Sequence, residues 1–481
     1  MQKKKVDGEN KAAKQKERAP GVSRRTLLKA AGAGVTGGAV LYSLDKLRLL
    51  PSFEALLPEP PTDRMTCRVH PGSGDKVSLL GFGCMRFPML PDASGPSGTE
   101  IDEAVAFGLV DYALAHGVNY FDTAYTYHRG MSEVMIGKAL KRHPRERFYL
   151  ATKMPGRLNP TLAQAKEMFE TQLGRCQVEY FDYYLLHNLQ SVDNYKKVYE
   201  EEKVLDYLLE QKKQGRIRNL GWSFHGDKEM LEYILSRPVQ WDFAQVQLNY
   251  HDLLHKYDPP PNIARFVSKN PAPIQWTYEK MLASGLPLVV MEPLLGGRLA
   301  RLNKKALAVL QAERPQATGA SWALRYAAGL PNVLSVLSGM TYMEHLQDNL
   351  RTFAPLEPLS EQELLVLKKA LDVFLTQSNI RCTTCGYCMP CPYGVDIPAV
   401  FAHYNRCLDD EQVPKGQRDP EYERARRAFL VEYGRAVPEL RQAARCTGCN
   451  KCVEHCPQMI PIPEEMARLG KFVENLRIRQ G

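Results

Sequence analysis

Eight of the chain's twelve cysteines form two runs near its end, Cys382-x2-Cys385-x2-Cys388-x2-Cys391-Pro392 and Cys446-x2-Cys449-x2-Cys452-x3-Cys456-Pro457. A cubane cluster takes four thiolates. Two-residue spacing lets one tight loop wrap three iron corners while its backbone N–H groups point at the sulfurs. The pattern is therefore the ligand set for two [4Fe-4S] clusters, and it dictates how any domain containing it must fold. In runs of this kind the trailing Cys-Pro serves the other cube. Cys382, Cys385 and Cys388 are expected to share one cluster with Cys456, and Cys446, Cys449 and Cys452 the second with Cys391. Zinc sites use two pairs of ligands rather than four in a row. A disulfide framework suits a small secreted domain with a poor core, whereas 481 residues can bury several cores. Cys67, Cys84, Cys176 and Cys407 are scattered and read as small buried apolar residues.

The other end of the chain carries its charge. Residues 1–29 hold ten Lys or Arg and three acids, a surplus of seven out of the net +9, so the remainder is near neutral. A nucleic-acid partner would need that surplus on the folded body. The basic stretch runs through Ser23-Arg24-Arg25-Thr26-Leu27-Leu28-Lys29 into an apolar, Gly/Ala-rich run from Ala30 to Leu44. This resembles a twin-arginine export signal. The apolar run is shorter than the roughly 20 residues of an ordinary spanning helix. Such signals serve proteins exported already folded, which two inserted clusters would require. With no small-x-small cleavage site before Pro58-Glu59-Pro60-Pro61, an uncleaved membrane anchor stays open. Residues 1–48 are assigned to signal or anchor and 49–64 to a linker. The expected destination is the periplasm or the outer face of the cytoplasmic membrane.

From residue 65 to 355, strand-like and helix-like segments alternate. Apolar runs at Val77–Gly81, Asn119–Asp122, Arg147–Ala151, Tyr180–Leu186, Ile217–Trp222, Phe243–Leu248, Leu288–Met291 and Val333–Leu337 offer eight strands. Helical spacing marks Glu103–Gly117, Ser132–Arg142, Leu162–Gln177 and Tyr199–Gln214. Eight β/α units in about 290 residues match a parallel (β/α)8 TIM barrel better than a doubly wound sheet. Met65–Lys76, with its Pro-Gly-Ser-Gly turn, is expected to form a hairpin closing the barrel's bottom. Residues 356–481 would be a helical ferredoxin-like domain, opened by an amphipathic helix from Ser360 to Gln377, with charged helix such as Glu421–Arg435 between the cysteine runs.

A barrel of this kind carries its chemistry at the carboxyl ends of its strands. There the sequence places Asp122 and Tyr127, then Lys153, then His187. A nearby ammonium favours a phenolate, so Lys153 is expected to lower the pKa of Tyr127 and make it a proton donor. Asp122 would supply the counter-charge for a buried Lys153, and His187 would hold a substrate carbonyl oxygen at Tyr127. These positions, with Gly130-Met131-Ser132-Glu133 and Ile136-Gly137-Lys138-Ala139-Leu140, resemble the aldo-keto reductases, whose Asp, Tyr, Lys and His tetrad lies in these places. With Cys-Gly-Tyr-Cys-Met-Pro-Cys-Pro and the second cysteine motif, the whole is similar to the iron–sulfur branch of that superfamily.

The resemblance implies that Ser223 and Gln245 hold a nicotinamide carboxamide. It further implies that Leu294 and Gly296 pass along a pyrophosphate, and that Ser338, Gly339 and Asn349 hold the adenosine end. Two departures stand out. Phe224 follows Ser223 where the family commonly has Asn, and Gly339–His345 offers no Lys or Arg for a 2′-phosphate. Whether NAD(P)H binds at all is left open. Clusters move single electrons and nicotinamide moves a hydride, and no flavin motif bridges the two.

Three functions are compatible with these readings. The first is an exported oxidoreductase of a carbonyl/alcohol pair, wired by its clusters to a redox protein or the quinone pool; free nicotinamide is not expected outside the cytoplasm. The second is an NAD(P)H-dependent carbonyl reductase with structural clusters. The third is a non-catalytic electron-transfer subunit of a membrane complex, for which a buried Lys–Asp pair beneath a Tyr has no use.

Overall fold

In the computed structural model the described residues are 58–90, 100–255, 272–376, 379–416 and 418–478. Residues 1–48, read from the sequence as an export signal or anchor, lie outside them. Pro60–Gly481 forms one compact unit. Among the described residues no helix is long and apolar enough to cross a membrane.

The chain enters through a hairpin in which β1 (Cys67–Val69) pairs antiparallel with β2 (Lys76–Ser78). Eight parallel strands then close into a barrel: β3 (Leu80–Gly83), β4 (Tyr120–Asp122), β5 (Tyr149–Met154), β6 (Phe181–Leu189), β7 (Ile217–Phe224), β8 (Phe243–Gln247), β9 (Leu288–Met291) and β10 (Val333–Ser338). The sequence offers Val77–Gly81 as one strand, but the structure divides it at Leu79 between hairpin and barrel. Hydrogen bonds of one residue hold the corner. Ser78 Oγ donates to the Leu80 carbonyl at 2.7 Å, and the Ser78 N–H donates to Asn119 Oδ1 at 2.7 Å. Tyr120, Ala151, Tyr183, Leu185, Phe243, Val289, Leu334 and Leu337 fill the barrel's interior, while a larger core lies between strands and helices.

Local signals set the helices. α1 (Glu103–Ala115) is capped by Asp102, and α2 (Met131–Leu140) follows β4. α3 (Leu162–Cys176) opens with a capping box of Thr161 and Gln164. The helix expected over Tyr199–Gln214 is instead a π-helical turn, Lys196–Glu201, and a separate α4 (Val204–Lys213), because Lys203 takes a left-handed φ of 59°. Gly137 of α2 has a packing reason: a Cβ there would stand 2.4 Å from the Arg175 carbonyl oxygen of α3.

α5 (Glu361–Leu375), expected to open the last domain, packs on the barrel. Its Leu367, Ala370, Leu371 and Phe374 share a core with Leu302, Ala306, Leu310 and Trp322, and its Glu363 pairs with buried Arg325 at 2.8 Å. Beyond it, α6 (Ile397–Asp409), α7 (Tyr422–Ala436) and α8 (Ile462–Arg477) enclose a second core around Phe401, Phe429 and Met466. The helical character read from the sequence is what surrounds the cysteine loops. Of the scattered cysteines, Cys84, Cys176 and Cys407 are buried as expected. Cys67 is only half-buried, being on the hairpin at the barrel's bottom.

Candidate active site and cluster sites

Asp122 ends β4 and Lys153 sits near the end of β5. Their side chains meet at 2.6 Å, both almost wholly buried, and Lys153 Nζ also donates to the Thr123 carbonyl at 2.7 Å. Gln245 of β8 donates to the other Asp122 oxygen at 3.2 Å. Burial pushes the Asp122 carboxyl up, and Lys153 and Gln245 pull it back. Behind the lysine, Glu133 accepts from Thr152 and Gln172, each at 2.7 Å, and from Arg175 at 3.2 Å. Gln172 also donates to the Lys153 carbonyl, while Ser132 donates to the Cys84 carbonyl. Glu133 thus holds up the strand carrying Lys153, while Ser132 ties α2 to the segment after β3.

Tyr127 and His187 stand edge to face, ring centroids 6.0 Å apart, and Lys153 Nζ lies 5.2 Å from the centre of the Tyr127 ring. All four residues read from the sequence come together. The expected electrostatics do not. Burial, followed by neighbouring Tyr387, Asp122 and Glu292, holds the Tyr127 phenol well above its ordinary value. The reason is that Lys153 directs its ammonium to Asp122 and Thr123, not to the phenol. Burial, with Lys153 next, pushes His187 well below its usual value, so its imidazole is neutral. The pair offers hydrogen-bond donors to an oxygen rather than a ready phenolate.

The cysteines gather as two groups. One cavity is bounded by Cys382, Cys385, Cys388 and Cys456; another, of about 440 Å³, by Cys391, Cys446, Cys449 and Cys452, with Cys388 at its edge. This is the crosswise grouping expected from the motifs. The thiols of each group line a cavity between the two cysteine loops. Backbone donors already face the sulfurs, including Thr384 N–H toward Cys382 at 3.4 Å. The four-thiolate donor set of each group is that of a cubane. The second is the more open, with Cys449 exposed.

The residues assigned to a nucleotide fare differently. Ser223 Oγ accepts the Asn188 N–H at 2.7 Å, Gln245 is held by Asp122, and Asn349 donates to Ser338 Oγ at 2.8 Å, well inside the protein. Gly296 has a φ of 66°, and a Cβ on it would stand 2.4 Å from Thr383 Cα. The first cysteine loop therefore lies directly on the segment read as the pyrophosphate track. On the adenosine side, a Cβ at Gly339 would stand 2.5 Å from Cγ of Arg86, whose guanidinium donates to the carbonyls of Thr383 at 2.7 Å and Thr384 at 3.2 Å. Ser223, Gln245, Leu294, Gly296, Ser338 and Gly339 all line one cavity, against whose Gly296 and Gly339 side the first cysteine loop and Arg86 are packed.

That cavity, of about 310 Å³, lies at the barrel's mouth and is at the small end of ligand sites. Asp122, Tyr127 and His187 form one side, Cys385, Tyr387 and Gln458 from the cysteine loops another, and Arg86 and Glu292 also line it. Arg86, Glu292 and Tyr387 escaped the sequence reading. Glu292 carried a usable signal, being a charged residue directly after the apolar run of β9.

Gly296→Ala probes the fit between loop and barrel. An L side chain at left-handed φ costs about 1–2 kcal/mol before the clash with Thr383 is counted. We expect a lower denaturation midpoint with iron content retained; an unchanged midpoint would contradict this contact.

Residues 79–372 match the model of a family described as "Aldo/keto reductase family", and residues 381–460 match a "4Fe-4S dicluster domain". The chain is 26% identical over 315 residues to "Uncharacterized oxidoreductase YqkF" of Bacillus subtilis (strain 168), covering 61% of this chain and 92% of that one. It is 33% identical over 146 residues to "Probable aldo-keto reductase 1" of Glycine max, where the match covers 27% of this chain and only 40% of the relative. Among solved structures, aldo-keto reductase AKR11C1 from Bacillus halodurans (holo form) aligns with a TM-score of 0.48 at 25% identity, covering 64% of this chain and 96% of that one.

Proposed function

The chain belongs to the aldo/keto reductase family, and from that premise we propose an oxidoreductase that interconverts a small carbonyl compound and its alcohol with electrons carried by its own clusters. One observation carries the reading: Cys385 and Tyr387 of the first cysteine loop line the same cavity as Asp122, Tyr127 and His187. A cubane held by Cys382, Cys385, Cys388 and Cys456 would supply single electrons at the edge of that cavity. The chain's residues supply the rest. His187 and Tyr127 hold the substrate oxygen, Tyr127 provides its proton, and the Lys153–Asp122 pair fixes the electrostatics beneath them. Tyr387 lines this cavity and that of the second cysteine group as well, linking the two. The exposed second group is the proposed point of exchange with a redox protein or quinone. Export by the twin-arginine route, to the periplasm or outer membrane face, is proposed from the pattern at Ser23–Lys29, which outside the cytoplasm would also make a resident electron source useful.

Isotope labelling tests this. Hydride transfer moves two electrons and a hydrogen together, whereas cluster electrons arrive bare, so the carbonyl group must take up two electrons and two separate protons to become the alcohol. Anaerobic turnover of a panel of small aldehydes and ketones in heavy water, with chemically reduced clusters and no nucleotide, is expected to place deuterium on the product carbon. Turnover that instead requires NADPH deuterated at its transferable position, and carries that label to carbon, would show the reading to be wrong.

A further inference from the structure

Cys382 opens the first cysteine run and Cys456 closes the second, yet both border one cavity. Close to each in the chain is a residue tied to one buried carboxylate of the barrel. Asp252 lies in the short helix Tyr250–Leu254 that follows β8. Arg381, next to Cys382, donates to its Oδ1 at 2.9 Å. Gln458, two residues past Cys456, donates to Gln247 Oε1 at 3.4 Å, and Gln247 donates in turn to Asp252 Oδ2 at 2.8 Å. Asn249 Nδ2 and His251 Nδ1 complete the shell, each at 2.9 Å.

Docking explains these hydrogen bonds but not the charge, since a buried ion pair adds little net stability over apolar packing. A charge matters to what lies beside it. Adding one electron to a cubane adds one negative charge, so an uncompensated cation nearby makes reduction easier and an uncompensated anion makes it harder. Among the described residues bordering the first cavity, none but the cysteines can carry charge. On the barrel side Cys385 shares its cavity with Arg86 and Glu292, one charge of each sign. Arg381 therefore stands out: it adjoins a cluster ligand, and its side chain is mostly buried, where salt screens little. Asp252 cancels it. His251 leaves that balance alone, because burial pushes its pKa down and keeps the imidazole neutral.

We infer that Asp252 is a positioning residue for electron delivery: it anchors both ends of the first cluster's ligand set to the barrel and, by cancelling Arg381, keeps that cluster more strongly reducing than the arginine alone would leave it. The inference rests on the reading above in taking this cluster as the one that feeds the carbonyl cavity. A carbonyl group accepts single electrons reluctantly, so a donor beside it works better at low potential. The same carboxylate thus serves geometry and driving force together.

Two variants of this pair should move the first cluster's potential in opposite directions. The measurement is an anaerobic titration of the loaded protein with dithionite, followed by electron paramagnetic resonance and needing no carbonyl substrate. Asp252→Asn leaves Arg381 uncompensated and should favour reduction by about tenfold, a rise of about 59 mV for a one-electron couple. Arg381→Met leaves the carboxylate unopposed, still hydrogen-bonded by His251, Gln247 and Asn249, and should disfavour reduction by a similar factor. The second cluster should titrate as in wild type, its signal assigned from a protein carrying both Cys382→Ser and Cys456→Ser. Simple loosening of the loop would shift both variants the same way. Shifts of one sign, no shift in either, or loss of the first cluster's iron from both variants overturns the inference; if only one variant loses that iron, the sign of the other decides. Opposed shifts alongside nicotinamide label on carbon would leave the charge balance standing and sink the cluster-driven reading alone.

Discussion

A protein carrying both Cys382→Ser and Cys456→Ser should retain about four irons per chain, half of the roughly eight expected for two cubanes. These residues come from opposite cysteine runs, 74 positions apart (456 − 382), yet border one cavity with Cys385 and Cys388. Removing both strikes a single cluster, leaving Cys391, Cys446, Cys449 and Cys452 intact around the other. If each run instead supplied all four ligands of its own cluster, the double variant would lose both and hold almost no iron. Iron and sulfide counts on the purified protein decide between the two. Carbonyl turnover should vanish in the double variant, because the cluster it lacks borders the barrel cavity. The helical module should also lose stability, since the clusters tie its two cysteine loops together.

Lys153→Met should cost about 3–5 kcal/mol of stability, the usual result of stranding one member of a buried ion pair. The pair is almost wholly buried, and among the described residues no other cation touches Asp122, which would keep only Gln245. Burial already pushes the Asp122 carboxyl up, and without the ammonium nothing strong opposes it. The pH dependence follows from linkage. A carboxyl whose folded pKa is raised binds its proton more tightly when folded, so the loss is least below the unfolded carboxylate pKa of about 4. It then grows as pH rises and is complete above the raised folded value. Denaturant midpoints measured from about pH 4 to 8 should therefore diverge from wild type with rising pH. Adding Asp122→Asn should remove the divergence and recover part of the stability. A flat difference across that range would mean that the stranded carboxylate is not its cause.

Much of this was legible in residues alone. Cysteine spacing gave the crosswise grouping because a cubane leaves a loop few ways to wrap it. Alternating apolar runs gave the barrel because eight parallel strands bury both faces and so read as continuous Val, Leu and Tyr segments. Asp122, Tyr127, Lys153 and His187 were readable because strand ends converge. The misreadings share a cause. Lys153 is near enough to influence Tyr127, but hydrogen bonds direct its charge elsewhere, and directionality does not show in a string of residue types. The break at Lys203 turns on a single dihedral angle, and the corner at Leu79 on the hydrogen bonds of Ser78 to Leu80 and Asn119. Arg86, Gly296 and Thr383 are far apart in the chain, so their mutual contact could emerge only from the fold.

That contact has a kinetic consequence. An enzyme that borrows its reductant from solution must bind two diffusing molecules, and its rate responds to the concentration of both. Here Thr383 rests on Gly296 and Arg86 clasps the loop from the far side, so on the proposed function the reductant's effective concentration is fixed by a tether rather than by a metabolite pool. Turnover should then follow an alternating scheme, in which the external partner charges the protein and leaves before the carbonyl compound is consumed. The protein becomes a small capacitor, holding charge for a substrate that has yet to arrive.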